Sequence, residues 1–442
     1  MRTLKSLIIV ALLVSMGGVA FAELQNVEVG GKLRIRGNMF SLEDNDASFV
    51  EQRTMLNVKA DFTNEVSAFI ELDSYDIWGE DFRSNYLTGA DGRAASGDDV
   101  EMYQAYINVK DMWGTPLSLR VGRQELVFGN EFVLGNNDTG AFFRGLSYDA
   151  VRLTFANDVV TADLFAGKLA ETFGDFGEDD VDLYGLYASY IGIEDVVIDG
   201  YYLYVRDDVV DGSEIDISTI GLRGAGTLGA FDFDLEAAYQ FGEIDGIDGA
   251  CPIPGVSEAD VEYDEFAINA EAGYTFDMAW TPRVSASFAY IGGGDWDESI
   301  WSNDMDMPFN RLFSDVEYSA FLDNADAALS NVFVYGLAVE AMPTECVSLK
   351  LMGNYYMADV IPDDCGWWFW KQSYDDELGW EVGLKASYNY SEDLVVRAGY
   401  SHFFGEDGLD DEGLVLNNGL GLWAGDEDDD YDYVFVETEI CF

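Results

Sequence analysis

The stretch FDFDLEAAYQF, residues 231–241, decides the fold. In an extended chain Phe231, Phe233, Leu235, Ala237, Tyr239 and Phe241 share one face, while Asp232, Asp234, Glu236 and Gln240 share the other. Successive strand side chains point to opposite faces, so this segment has one oily surface and one acidic surface. A strand in a globular domain usually runs about five or six residues. A tilted membrane strand runs ~9–11, with lipid on one side and water on the other. ELGWEVGLKASYNY, residues 377–390, repeats the pattern, with Leu378, Trp380, Val382, Leu384, Ala386, Tyr388 and Tyr390 against Glu381, Lys385 and Asn389.

The connections between such segments alternate in length. Short ones read TNE (63–65), DMWGTP (111–116), AND (156–158), GIED (192–195), TLGA (227–230), DMAWTP (277–282), MPTEC (342–346) and SED (391–393). Long ones fall near 40–49, 76–98, 127–148, 167–181, 206–214, 242–261, 292–330, 358–376 and 405–430. Nine long and eight short connections join eighteen strands. The expected architecture is an all-β, transmembrane antiparallel barrel with short periplasmic turns and long extracellular loops. A soluble sandwich or β-helix does not predict that alternation. The seven prolines all avoid the alternating segments, whose backbone N–H groups are needed for pairing.

The two ends agree with export to the outer membrane of a Gram-negative (diderm) bacterium. MRTLKSLIIVALLVSMGGVAFA has cations at Arg2 and Lys5, an apolar run from Leu7 to Val14, and small residues at Ala20 and Ala22. It reads as a signal peptide over 1–22, leaving 23–442 as one barrel domain. The final VFVETEICF ends on Phe442, on the same face as Val434, Val436, Thr438 and Ile440. A terminal aromatic of this kind resembles the signal read by the outer-membrane assembly machinery. Outer-membrane lipid and lipopolysaccharide are the other expected partners. Nucleic acid is not one for a chain with a net charge of −61.

Against that charge, KLRIRGNMF (32–40) places Lys32, Arg34 and Arg36 on one face with Leu33 and Ile35 between them. Charge facing lipid costs ~2–4 kcal/mol per residue near the midplane, so the cations face the lumen. In RTMLNVKADF (53–62) the same parity turns Arg53, Asn57, Lys59 and Asp61 inward. In LSLRVGRQ (117–124) it turns Arg120 and Gln124 inward, and VRLTF (151–155) does so for Arg152. Twelve of the basic residues lie between Lys32 and Arg152, so the lumen has a cationic side. Two roles are open to it: guiding a solute, or a structural ladder in which Glu71, Asp73 and Asp61 satisfy the cations.

LRVGRQELVFGNEFVLGN (119–136) followed by FFRGLSYDAVRLTF (142–155) resembles the alginate-export family of outer-membrane porins. The resemblance implies an eighteen-stranded, monomeric barrel whose Arg/Lys-rich lumen passes anionic polysaccharide or smaller solutes. By motif match it implies lumen roles for Arg120, Arg123, Gln124, Glu125 and Arg152, with Arg144 on the inserted segment. Together with Lys32, Arg34, Arg36, Arg53, Lys59, Glu71 and Asp73, these form the expected pore lining. The inserted segment carries Phe128, Phe132, Val133, Leu134, Phe142 and Phe143, unusually apolar for an exposed loop. It is expected to fold inward, with Gly129, Gly135 and Gly140 allowing the bends and Arg144 near the constriction.

The expected function is therefore a porin for small or anionic solutes, with no chemical step and no cofactor. An exporter of an alginate-like polysaccharide is the alternative. A surface-binding barrel is another, with Ca2+ held by acidic loops such as EDGLDDEG (406–413) and GDEDDDYD (425–432). An enzyme is disfavoured: the single histidine, His402, lies between Tyr400 and Phe404 and shares their lipid-interface parity. Of the four cysteines, Cys346 and Cys441 lie at periplasmic ends about three strands apart. At ~4.8 Å per strand this exceeds the roughly 7 Å limit between bridged Cα atoms. Any intramolecular disulfide is expected to join Cys251 to Cys365.

Overall fold

The computed structural model describes residues 24–42, 45–79, 100–138, 143–171, 180–208, 214–245, 261–294, 305–324, 329–361, 375–406, 408 and 430–442. The strands of the first half are β1 (Asn26–Leu42), β2 (Asn45–Asp61), β3 (Val66–Ile77), β4 (Glu101–Val109), β5 (Leu117–Gln124), β6 (Tyr148–Ala156), β7 (Val160–Glu171), β8 (Asp180–Ile193) and β9 (Val196–Asp207). Those of the second half are β10 (Glu214–Leu228), β11 (Phe231–Asp245), β12 (Val261–Thr275), β13 (Arg283–Ile291), β14 (Met305–Met307), β15 (Val332–Thr344), β16 (Val347–Ala358), β17 (Glu377–Asn389), β18 (Leu394–Gly405) and β19 (Asp430–Cys441). Each barrel strand pairs antiparallel with its sequence neighbour, and β1 pairs with β19 to close the ring. Closure leaves no sheet edge, which a hydrocarbon environment requires.

Eighteen of these strands form the wall, because β13 pairs directly with β15. The extra strand, β14, lies in the connection between them and runs parallel to the upper end of β12, Val261 opposite Met305. β13 is too short to reach that height, since its ladder with β12 stops at Ile291 opposite Ala267. The loop strand supplies the missing partner.

The outer surface is apolar where the alternation places it. Leu56, Ile70, Leu164, Leu222, Leu235, Leu337 and Val436 are all exposed, a surface that a water-soluble barrel would hide. Exposed aromatics mark its two rims: Trp113, Trp280, Phe231 and Tyr390 at the short-turn end, and Trp78, Tyr184, Phe241 and Phe404 at the other. The chain is an outer-membrane barrel by these features.

Several connections expected to be long are narrower than expected. β1 runs to Leu42 and β2 starts at Asn45, so the connection placed at 40–49 is a tight hairpin. The strands continue upward because Phe40 is fully buried, stacked on Tyr433 at 4.6 Å and flanked by Phe49 and Phe321. Charged residues that read as loop also belong to ladders. Lys168 on β7 meets Asp180 and Asp182 on β8 at 2.8 Å each, and Arg206 on β9 meets Glu214 on β10 at 2.6 Å. A left-handed Gly379 also breaks the expected parity of β17, turning Leu378 inward to 2% exposure.

Candidate functional site

The inward faces of β1 to β4 and β17 to β19 place the cations at mid-height in the wall. Arg34 Nε donates to Glu437 at 2.8 Å, Arg36 Nε to Glu51 at 2.8 Å, and Arg53 Nε to Asp73 at 2.8 Å. Arg397 on β18 adds bonds to Glu437 at 2.7 Å and Glu439 at 3.2 Å. Arg34, Arg36 and Arg53 are 5% exposed or less, so their partners are required rather than ornamental. Lys59 stands near the periplasmic mouth, 3.5 Å from Asp61 and 3.4 Å from Glu28. Of the three carboxylates expected to pair, Glu71 instead accepts amide bonds from Asn57 and Gln104.

Arg120 differs from these. Its guanidinium lies 4.3 Å from the Tyr106 ring centroid and opposite Arg152 in the β5–β6 ladder. Arg152 is neutralised by Asp163 at 2.7 Å. Among the described residues no carboxylate lies within ion-pair distance of Arg120.

The described parts of the inserted segment, 125–138 and 143–147, fold into the barrel. Phe128 stacks on Tyr187 at 4.7 Å and on Phe165 at 5.3 Å, both on the inner wall. Phe143 lies under two guanidiniums, Arg34 at 4.4 Å and Arg36 at 4.7 Å from its centroid. Asp138 reaches the wall and meets Lys32 and Arg53 at 2.6 Å each and Arg34 at 3.7 Å. Two glycines make this path available. Gly129 has φ +59°, and Gly145 has φ +76° and packs so close on the Arg53 guanidinium that a Cβ would collide with it. Gly135 serves differently: its φ is ordinary, and a Cβ there would strike Glu131. Gly140 and Phe142 lie outside the described residues.

A second inward loop, within 292–331, meets the first. Leu134 bridges to Phe313, the Gly135 N–H donates to the Phe313 carbonyl at 2.8 Å, and Phe132 stacks on Phe309. Glu381, 1% exposed on β17, anchors this loop by accepting from the Phe321 N–H at 3.0 Å, and it also accepts from Tyr356 at 2.6 Å and from Ser401. Lys385 on the same strand is paired with Glu317 of the loop. The two loops leave a cavity of about 480 Å³ against β11 to β17 and one of about 290 Å³ against β1, β18 and β19. Glu317 and Lys385 line both.

Asp323 closes the second loop on itself, accepting from the Tyr318 and Ser319 amides at 2.6 and 2.8 Å, with Arg311 at 3.5 Å. Burial pushes its carboxyl up to about 6, against the opposing pull of Arg311 and the amides. A docked loop therefore keeps this proton to a higher pH than an undocked one. Docking is strongest below the ordinary aspartate range near 4 and weakens as pH rises through 6, by about 3 kcal/mol at most. Gating events in single-channel records should become more frequent between pH 4.5 and 7. Asp323→Asn should flatten that dependence; a wild-type record independent of pH in this window would contradict it.

The structure distributes the expected residues unevenly. Lys32, Arg34, Arg36, Arg53, Asp73 and the incoming Asp138 come together, while Arg120 and Arg152 form a neighbouring pair. Glu125 accepts from Tyr103 at 2.8 Å, and Gln124 is fully buried, donating to the Ala150 carbonyl at 2.9 Å. Arg123 points the other way. Its side chain is 42% exposed and forms a two-pronged bond with Asp149, at 2.9 and 2.8 Å, on the outward parity of Val121 and Val151. The positive φ of Gly122 does not reverse that parity. Arg144 is exposed, 4.8 Å from the Tyr75 ring centroid. His402 faces outward against Phe404 and bonds Asp432 at 2.8 Å.

The expected pore lining omits Glu437, Glu439, Arg397, Glu317 and Asp138, and Lys385 enters the sequence reading only as part of the polar face of 377–390. Glu437 and Glu439 were within reach: counting back by twos from Cys441 gives the inward set of β19, and barrel closure sets it beside β1. Cys346 and Cys441 are free and exposed. Cys251, Cys365, residues 1–22 and most of the two acidic loops lie outside the described residues, as the calcium and disulfide expectations therefore do. Among the described residues no cluster of metal-ligating side chains occurs.

Comparison with known proteins follows the same outline. The family model described as alginate export matches residues 25–416. No curated protein sequence matches significantly. Among solved structures, Acinetobacter baumannii OccAB3 is similar with TM-score 0.55 and 14% identity, covering 94% of this chain and 100% of that one. Pseudomonas aeruginosa OpdL has TM-score 0.56 and 13% identity over 94% and 99%, and OccK11 (OpdR) from the same organism 0.54 and 12% over 94% and 96%. At these identities the likeness concerns the barrel fold.

Proposed function

This chain belongs to the alginate export family, and from that membership and the charge of its lumen we propose that it is a passive outer-membrane channel selective for small anionic solutes. The carrying observation is the row of arginines and lysines at mid-height, narrowed by two inward loops. Arg120 carries the most weight in it, because no described carboxylate neutralises it. A cation in a narrow, partly desolvated passage attracts anions through the local field more strongly than the distant acidic loops repel them. The reading needs no cofactor, metal or chemical step, and a single barrel completes the passage, so a monomer suffices.

Replacing Arg34, Arg36 and Arg120 together with Ala should move the reversal potential in a salt gradient toward cation selectivity. Glu437 and Glu51 lose their strongest partners in that variant, which adds to the sign. An unchanged reversal potential would mean that these arginines only brace the wall.

Export of an anionic polysaccharide is the second reading, favoured by the family model itself. It requires a continuous path for a polymer, and therefore withdrawal of both loops from the lumen. Alginate oligomers that block the current in a length-dependent way would support it; block by monomeric acids alone would support the small-solute reading.

A further inference from the structure

The ion pairs around the second cavity draw on both inward loops as well as on the wall. Among the described residues, Lys32, Arg34, Arg36, Arg53 and Arg397 pair with the strand carboxylates Glu51, Asp73, Glu437 and Glu439, whereas Lys385 pairs with a loop carboxylate. The remaining two carboxylates, Asp138 and Glu317, come one from each inward loop.

Both loop carboxylates line the same cavity of about 290 Å³, together with Arg34, Arg36, Lys385 and Arg397. They are held unequally. Asp138 meets three cations, two of them in the arginine group that is nearly inaccessible to solvent. Glu317 meets Lys385, whose side chain is 30% exposed. Added counter-charge stabilises cations in a poorly solvated cavity, and in the empty channel the two loops supply it. A solute with two carboxylates could supply the same two charges to the same cations.

We propose that Asp138 and Glu317 are built-in stand-ins for the carboxylates of a small dicarboxylate solute, which displaces them from the wall cations and so loosens both loops. The inference rests on the anion-channel reading and specifies its substrate class. The cavity volume fits a metabolite-sized diacid. Two loop anchors, one per loop, make the site respond to two linked carboxylates rather than one: the second displacement becomes intramolecular once the first has occurred.

The test uses the full chain in planar bilayers, with succinate and acetate as probes of current block. In the Asp138→Asn, Glu317→Gln double variant the competing charges are removed while shape is kept. Half-blocking succinate should fall about tenfold, and half-blocking acetate by clearly less. Equal changes for the two probes, or none, would overturn the proposal while an anion-selective reversal potential left the channel reading intact. A cation-selective wild type unaffected by loss of Arg34, Arg36 and Arg120 would overturn both. Heat-modifiable gel migration checks assembly. If the double variant does not assemble, Glu317→Gln alone carries the test, because its partially exposed pair is the less demanding of the two to break; unchanged succinate block there overturns the proposal.

Discussion

Deleting residues 130–141 is expected to raise single-channel conductance on the order of threefold while leaving the barrel assembled. The segment contributes no wall strand: β5 and β6 pair with each other directly, from Leu117 opposite Phe155 to Gln124 opposite Tyr148. What it contributes is filling. Phe132 is 3% exposed against Phe309, Val133 and Leu134 are 3% and 4% exposed against the second loop, and Asp138 ties the segment to the wall. Removing them also costs the second loop its backbone bonds to Val133 and Gly135, so both halves of the constriction loosen. Conductance, anion selectivity and heat-modifiable migration would be measured together. A deletion barrel that assembles and conducts no more than the parent would place the constriction elsewhere.

The second large effect concerns Arg53. It is 1% exposed, bonds Asp73 at 2.8 Å and Asp138 at 2.6 Å, and lies 4.7 Å from the Tyr103 ring centroid. Arg53→Met keeps much of the volume but strands Asp73 and removes one of the three cations that hold Asp138. Breaking a buried pair by removing one partner costs about 3–5 kcal/mol, and here Gly145 also loses the surface on which it packs. The expected result is a barrel with a lower unfolding midpoint in denaturant and a noisier open state, because the first loop loses its deepest anchor. Adding Asp73→Asn to Arg53→Met should recover part of the loss, a coupling that independent sites would not show. Arg123→Ala is the matched comparison. That arginine is exposed on the outer face, so its loss should cost below about 1 kcal/mol and leave conductance unchanged. Equal destabilisation by the two substitutions would contradict the buried-network account.

The wall was legible because its code is local and repeated. In FDFDLEAAYQF every second residue must satisfy lipid, and a slip of one position would put Asp232 and Glu236 into hydrocarbon, so parity alone assigned faces to Arg34, Arg53, Arg120 and Arg152. The same parity assigned His402 to the outside. The family motif, by contrast, carried Arg123 into the lumen against the parity of its own strand, and the structure follows the parity. Strand ends were less legible: Lys168, Arg206 and the residues around Phe40 look like loop composition but remain in ladders because partners across the hairpin satisfy them.

The sequence by itself therefore determined that this chain is a barrel, how many strands wall it, and which cations the wall turns inward. Tertiary structure decided most of what those cations face, beyond the Arg53–Asp73 pair of neighbouring strands. Arg34 meets a carboxylate 403 residues away because ring closure brings β19 beside β1. Asp138 and Glu317 arrive on loops whose apolar side chains had no water-free surface except the lumen and each other. Periodicity is a property of neighbours along the chain, whereas a counter-charge across a closed ring depends on which surfaces the whole fold leaves to be filled.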